Sequence, residues 1–310
     1  MKLQCVYWDW VNKMENAKDQ ANNLRNIVRE NKGQASKDFK KAARVIAVTS
    51  GKGGVGKTNF TVNLAVYLQS IGKSVVIVDA DFGLANIEIL LGFAPTHSMH
   101  DVMNGKVPIE QAISKTENGL RFISGGSGLS GLSNVGPREL EVAIKNIDFL
   151  DSVADIVLID TAAGISDAVL RFVSAASEGI IVCAPEPTSI TDSYSLIKAV
   201  KERGIALPSY KIVINKADSV EEGKKIFRNL QMVSMKFLSV ELELIGVLPQ
   251  DLSLVRAVKG QRPCIDLYPN SPFSREIQMV AANLLNMKIE EGNSGMKGFI
   301  KRLAGIFSGN

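Results

Sequence analysis

The sequence predicts an open, mostly parallel α/β sheet with helices on both faces, and three features carry that expectation. Short apolar runs alternate with helix-patterned segments from Arg44 to Val247, two of the runs close on carboxylates at Asp79 and Asp160, and a glycine-rich turn joins the first run to the first helix. At 310 residues, with 45% hydrophobic and 22% charged, the chain is long enough for one large α/β domain with short appendages. The expected division is 1–43 as an N-terminal extension with a helix and linker, 44–289 as the α/β domain, and 290–310 as a linker and terminal helix.

Composition narrows the function classes. A net charge of +4 is too mild for a polycation built around nucleic acid. Cys5, Cys183 and Cys264 lie far apart with no Cys-x-x-Cys. That spacing argues against a disulfide framework, a zinc site or an iron–sulfur carrier, and fits a reducing cytoplasm. No apolar stretch approaches the roughly 20 residues that cross a bilayer. Asp9 interrupts a very short apolar run at the start, so a signal-peptide pattern is lacking. The expectation is a soluble or peripherally attached cytoplasmic protein.

Residues 1–13 hold both tryptophans and fit no periodic element, and an unstructured tail is the reading preferred over an aromatic anchor. In residues 15–30, Ala21, Leu24, Ile27 and Val28 share one side of a short amphipathic helix. Such a helix either packs on its own domain or enters a partner's groove, and the residues leave both open. Residues 31–43, polar and lysine-rich, read as a linker.

The run Arg44–Thr49 leads into Ser50–Thr58, where Gly51, four residues, then Gly56, Lys57 and Thr58 fit the Walker A spacing between a strand and a helix. Glycines without a Cβ let backbone N–H groups turn toward phosphate oxygens, and the following helix adds its positive end. Gly51, Lys52, Gly53, Gly54, Val55, Gly56, Lys57, Thr58 and Asn59 are therefore the candidate phosphate contacts, with Lys57 on the β- and γ-phosphates and Thr58 on Mg²⁺. The next strand ends in Asp79 and Asp81, and carboxyl ends of strands are where ligands sit in open α/β sheets. Helix capping is the bland alternative for Asp81. His97 and His100, beside Asp101, read as plain surface residues because a third metal ligand is lacking.

Leu120–Ser124 reads as a strand and 125–136 as a Gly/Ser-rich loop. Asp155–Asp160 is a strand with a terminal carboxylate before Thr161-Ala-Ala-Gly164, a Walker B-like arrangement in which Asp160 holds Mg²⁺ through its water shell and Gly164 reports the γ-phosphate. Further units follow: strand Gly179–Ala184, helix Ser189–Glu202, strand Tyr210–Ile214, helix Val220–Leu238 and strand Leu242–Val247. Asn215-Lys216-Ala217-Asp218 fits the short Asn-Lys-x-Asp pattern that reads guanine in many GTPases, a weakly specific match that the phosphate loop and paired aspartates outweigh in favour of ATP. At the C-terminus, Met296, Phe299, Ile300, Leu303, Ile306 and Phe307 recur at helical spacing opposite Lys297, Lys301 and Arg302. This is the pattern of an interfacial helix on an anionic membrane, with docking on the protein's own core as the alternative.

Gly51-Lys-Gly-Gly-Val-Gly-Lys-Thr58 resembles the deviant Walker A of the MinD/ParA-type ATPases. Asp19, Gln20, Ala21, Leu24 and Arg25 stand in a segment that matches the Asp-Gln-Ala-x-x-Leu-Arg motif of the flagellar-number regulator family FlhG (YlxH/FleN). Asn86–Gly92 and Pro185–Asp192 are similar to the same group. The resemblance implies a P-loop NTPase fold and an ATP- and Mg²⁺-dependent homodimer. In it Lys52 reaches the partner subunit's nucleotide, Asp79 lies near Mg²⁺, and Asp81 positions the attacking water. Asn215 would bond the base, with Pro249, Gln250 and Asp251 approaching it from the other side. It further implies slow, partner-stimulated ATP hydrolysis, an FlhF-type GTPase engaged by the N-terminal motif, flagellar switch and C-ring proteins as partners, and attachment to the inner face of the cell membrane when ATP is bound. A ParA-like partition ATPase on DNA, or a MinD-like division-site ATPase acting through MinC, is the alternative. The N-terminal motif speaks against both and the C-terminal helix against DNA.

Overall fold

The computed structural model of the protein describes residues 42–81, 86–126, 149–204 and 210–285. The N-terminal motif residues Asp19, Gln20, Ala21, Leu24 and Arg25 lie outside the described residues. So do Met296, Phe299, Ile300, Leu303, Ile306 and Phe307 of the terminal helix.

In chain order the elements are β1 (Arg44–Ser50), α1 (Lys57–Ser70), β2 (Val75–Ala80), α2 (Asn86–Leu91), α3 (Met99–Met103), α4 (Ile109–Ala112), β3 (Ile113–Lys115) and β4 (Arg121–Ile123). There follow α5 (Leu150–Val153), β5 (Ile156–Ala163), α6 (Asp167–Ala175), β6 (Glu178–Cys183), α7 (Pro187–Glu202), β7 (Tyr210–Ala217) and α8 (Val220–Leu238). The described part ends with β8 (Leu242–Pro249), α9 (Leu252–Lys259), α10 (Cys264–Leu267) and α11 (Pro272–Leu285).

The strands form one sheet in the order β3-β4-β2-β5-β1-β6-β7-β8, parallel throughout except where the short edge strand β3 runs antiparallel to β4. Alternation along each strand builds two cores. Val45 and Ala47 of β1 face one apolar cluster with α6, α7 and α8, while Ile46 and Val48 face another with α1 and α11. α1 is buried on most of its surface, including Phe60, Leu64, Ala65 and Leu68, which explains why its sequence is apolar well beyond one stripe. The chain leaves β1 through α1 over one face and returns to β6, beside β1, through α6 over the other. This reversal opens a crevice at the carboxyl end of β1, the place where such sheets bind ligands.

β7 and β8 run further than their apolar runs suggest. They end at Ala217 and Pro249 through shifts in register that keep Ala217 paired with Pro249 after the apolar residues stop. Local signals set several helix starts: the Ser166 and Ser219 hydroxyls accept from Val169 N and Glu222 N, and Pro187 opens α7.

The opposite, amino ends of the central strands are held by a buried ionic cluster. Glu178, opening β6, accepts from Arg44 Nε at 2.8 Å and from Lys211 Nζ at 2.6 Å, and Arg44 also donates to the Leu284 carbonyl at the end of α11 at 2.8 Å. Two cations converge on one carboxylate in a largely dry site, so removing the carboxylate leaves buried charge uncompensated. Glu178→Gln is expected to cost on the order of 3–5 kcal/mol. For a domain of this size that lowers the thermal midpoint by about 10 °C, checked by circular dichroism melts.

Candidate nucleotide site

The phosphate loop spans the end of β1 and the start of α1, and its glycines are demanded by neighbours. Gly56 has φ 92°, the left-handed region, and a Cβ there would lie 2.3 Å from Asn215 Nδ2. A Cβ on Gly51 would lie 2.3 Å from the Asp192 carbonyl carbon of α7. The loop is thus wedged between β7 and α7, which prevents it from collapsing into an ordinary turn.

Below the loop, Asp160 of β5 is the hub. It is fully buried, and its Oδ1 accepts from Lys57 Nζ at 2.8 Å and from Thr61 Oγ1 at 3.2 Å, while Oδ2 accepts from Thr58 Oγ1 at 2.7 Å. Three side chains on the first turns of one helix therefore meet one carboxylate. Thr61 was not singled out by motif spacing. Its position one turn after Lys57, with its hydroxyl also on the Lys57 carbonyl at 3.0 Å, is the signal that could have marked it.

Asp79 lies beside this hub because β2 and β5 pair it in register with Asp160. Its Oδ1 accepts the Asp81 backbone N–H at 3.0 Å, whereas its buried Oδ2 has no hydrogen-bond partner. Burial pushes the Asp79 carboxyl up to about 8, the Asp160 charge adds to the rise, and the Asp81 N–H and Lys57 oppose it. Asp81 is also raised, mainly by burial, with Lys57 opposing; its Oδ2 accepts from Asn86 Nδ2 at 3.1 Å. An orphan carboxylate oxygen next to a second carboxylate, with a threonine hydroxyl alongside, is a donor set suited to a hard divalent cation such as Mg²⁺. Among the described residues no cluster of three or more His, Cys, Asp or Glu offers an all-protein metal cage.

Lys52 sits away from this hub. Its Nζ donates to Glu186 Oε2 at 2.5 Å and Thr188 Oγ1 at 2.9 Å, at the exposed start of α7, and this bond holds the Glu186 carboxyl below its usual range. At the other end of the loop, Asn215 Nδ2 donates to the Val55 carbonyl at 2.7 Å and Lys216 Nζ to the Gly54 carbonyl at 2.7 Å. Gln250 N donates to the Ala217 carbonyl at 3.1 Å, joining the ends of β7 and β8. Asp251, expected to approach the base, has both oxygens on backbone amides: Oδ1 caps α9 through Ser253 N at 2.7 Å and Oδ2 accepts from Phe273 N at 3.0 Å. Asn59 keeps a buried side-chain oxygen without a partner. Asp101 next to the histidines is occupied as a cap, accepting from Ser98 and from Lys106 Nζ at 3.1 Å, which lowers its carboxyl.

The family model for ParA, described as NUBPL iron-transfer P-loop NTPase, matches residues 41–285, the full span that carries this geometry. The chain belongs to the MinD/ParA family of P-loop ATPases. It is 38% identical to the antiactivator FleN of Pseudomonas aeruginosa, over 84% of this chain and 93% of that one. It is 32% identical to the flagellum site-determining protein YlxH of Helicobacter pylori, over 92% and 98%. These similarities place it with the FlhG-type (FleN/YlxH) members of the family. Among solved structures it is similar to MinD of the Aquifex aeolicus MinC:MinD complex, with TM-score 0.64 at 29% identity, over 82% of this chain and 100% of that one. MinD complexed with Mg-ADP from Pyrococcus horikoshii superposes with TM-score 0.64 at 26% identity, over 79% and 96%. The family uses nucleotide with Mg²⁺, as that complex illustrates, and this donor set suits the same pair.

The raised Asp79 has a stability consequence with a definite sign. An unfolded Asp ionises near 3.8 and the folded one near 8, so the folded chain without ligand loses stability as pH rises between those values. Asp79→Asn is expected to raise the melting temperature of the ligand-free protein at pH 8 by a few degrees and to have little effect at pH 4. The same variant should lose most of the further stabilisation that Mg²⁺ with nucleotide confers on the native chain, read by differential scanning fluorimetry.

Proposed function

We propose that this chain is a MinD-like ATPase switch whose ATP-dependent dimerisation and membrane attachment control flagellar number or placement, with an FlhF-type GTPase as partner. The observation that carries the reading is the phosphate loop with its second lysine, Lys52, in a chain 38% identical to an antiactivator named FleN. Relatives named for flagellar site determination support the biological side, and relatives named for septum-site determination support the switch side.

The residues divide the work. Lys57, now on Asp160, turns its ammonium to the β- and γ-phosphates when nucleotide arrives. The Thr58 hydroxyl, Asp79 and Asp160 would hold Mg²⁺, which when bound would supply positive charge against the phosphate oxygens. Asp81 orients the attacking water, and the Asp79 bond to its amide fixes where it stands. Lys52 exchanges Glu186 and Thr188 for the partner subunit's nucleotide, which makes occupancy and dimerisation one linked equilibrium. Hydrolysis is slow until a partner stimulates it, because the conformational state is the useful product. The terminal helix, carrying Met296, Phe299, Ile300, Leu303, Ile306 and Phe307, binds an anionic membrane weakly as one copy and firmly as two. Asp19, Gln20, Ala21, Leu24 and Arg25 form the GTPase-facing motif, and flagellar switch and C-ring proteins are further partners.

Asp81→Ala should reduce ATP hydrolysis by about 10²–10⁴-fold and accumulate an ATP-bound dimer in size-exclusion chromatography with light scattering. Lys52→Ala should stay monomeric with ATP while still binding it; hydrolysis by Asp81→Ala at the native rate would remove Asp81 from its assigned role. In liposome co-sedimentation with anionic vesicles, the full chain should pellet with ATP and not with ADP, and a chain ending at Glu291 should stay in solution with either. Pelleting that ignores both nucleotide and tail, together with salt-sensitive DNA binding by the ATP form, would favour a partition ATPase instead.

A further inference from the structure

The segment Asn215-Lys216-Ala217-Asp218 is built with more constraint than a surface turn needs. Lys216 is a non-glycine residue in the left-handed region, φ 63°, and a lysine is held there only when surroundings dictate it. Its Nζ reaches back to the Gly54 carbonyl at 2.7 Å, and the neighbouring Asn215 reaches the Val55 carbonyl at 2.7 Å, so two consecutive side chains lash the end of β7 to the phosphate loop. Asn215 is 2% exposed and its side-chain oxygen has no partner, a buried acceptor left open at the site.

Asp218 completes the pattern. Its backbone N–H is held by Glu222 Oε2 at 2.7 Å and the preceding carbonyl by Gln250 N at 3.1 Å, so the main chain is fixed on both sides. Its carboxylate is exposed, and no hydrogen bond or ion pair of it occurs among the described residues. A fixed carboxylate three residues beyond a buried amide, at the far end of a phosphate loop, presents acceptors where a base would arrive. Of the two purines, guanine offers two adjacent donors, N1–H and the 2-amino group, which a carboxylate can accept together. Adenine has an acceptor at N1 and a bare C2–H, with a single donor in its 6-amino group, so it offers Asp218 no such pair.

We propose that the base end of this site accepts guanine as well as adenine, with Asp218 as the residue that reads it, so that GTP and ATP load the same phosphate loop. The proposal rests on the reading of the site as a nucleotide switch and widens its substrate class.

The test is isothermal titration of the full-length protein with Mg-ADP, Mg-GDP and Mg-XDP, repeated with Asp218→Asn. Xanthine carries a carbonyl in place of the 2-amino group, so an amide at position 218 can donate to it where a carboxylate cannot. The native chain is expected to bind GDP within about tenfold of ADP and XDP at least tenfold more weakly than GDP. Asp218→Asn should reverse the GDP-to-XDP preference, a gain of binding that a merely structural role or a partial loss of folding would not produce. ADP binding with GDP more than a hundredfold weaker, or an unchanged GDP-to-XDP ratio in the variant, would overturn the guanine proposal and leave the ATPase reading intact. Failure of ADP and GDP alike would overturn both.

Discussion

A single buried carboxylate organises the catalytic half of this protein. Asp160 accepts from Lys57, Thr58 and Thr61, all on the opening turns of α1, and so ties the helix that follows the phosphate loop to the strand beside it. Without nucleotide the hub satisfies the lysine and threonine internally, which stops an ammonium and a hydroxyl from lying unpaired in a dry crevice. The same pairing by register sets Asp79 against Asp160, where burial first and the Asp160 charge second raise the Asp79 carboxyl.

The phosphate loop is held from three directions, and each direction corresponds to a different part of the expected chemistry. Asp160 grips its helical end, where phosphate charge is handled. The α7 side supplies the Asp192 backbone against Gly51 and the Glu186–Thr188 pair that receives Lys52. The β7 side supplies Asn215 and Lys216, which bond the Val55 and Gly54 carbonyls. In the proposed mechanism, phosphate, dimer and base functions would meet at this one turn, a physical reason for a nucleotide to be felt by several elements at once.

At the amino ends of the central strands, Glu178 plays the corresponding structural part, gathering Arg44 and Lys211 and, through Arg44, the carbonyl at the end of α11. The end of α11 is thus anchored to the start of β1, whose other end carries the phosphate loop. Among the described residues the buried charged side chains lie toward the two ends of the strands, while the middle of the sheet is apolar on both faces.

Much of this was legible in the residues alone. The strands carrying Asp79 and Asp160, the alternation of strands and helices from Gly179 to Val247, the phosphate loop and the carboxylates at strand ends follow from period, glycine spacing and the chemistry of carboxyl edges, all of which are local properties of the chain. The short helices α2, α3 and α4 were not, because four to six residues are too few to establish a helical period, and Asp101 and Ser98 reveal their capping role only once folded. The ends of β7 and β8 were misjudged because apolar patterning stops where pairing continues. What the sequence determined by itself is the α/β class and the residue types available for phosphate and Mg²⁺. What only the tertiary structure decided is their partnership: Asp79 beside Asp160, Thr61 on the hub, Lys52 on Glu186, Lys216 on the loop and Asp251 given over to capping. Those pairs are separated by up to 162 residues in the chain, as between Gly54 and Lys216, and strand register together with close packing, neither of which has a local signature, brings them within bonding distance.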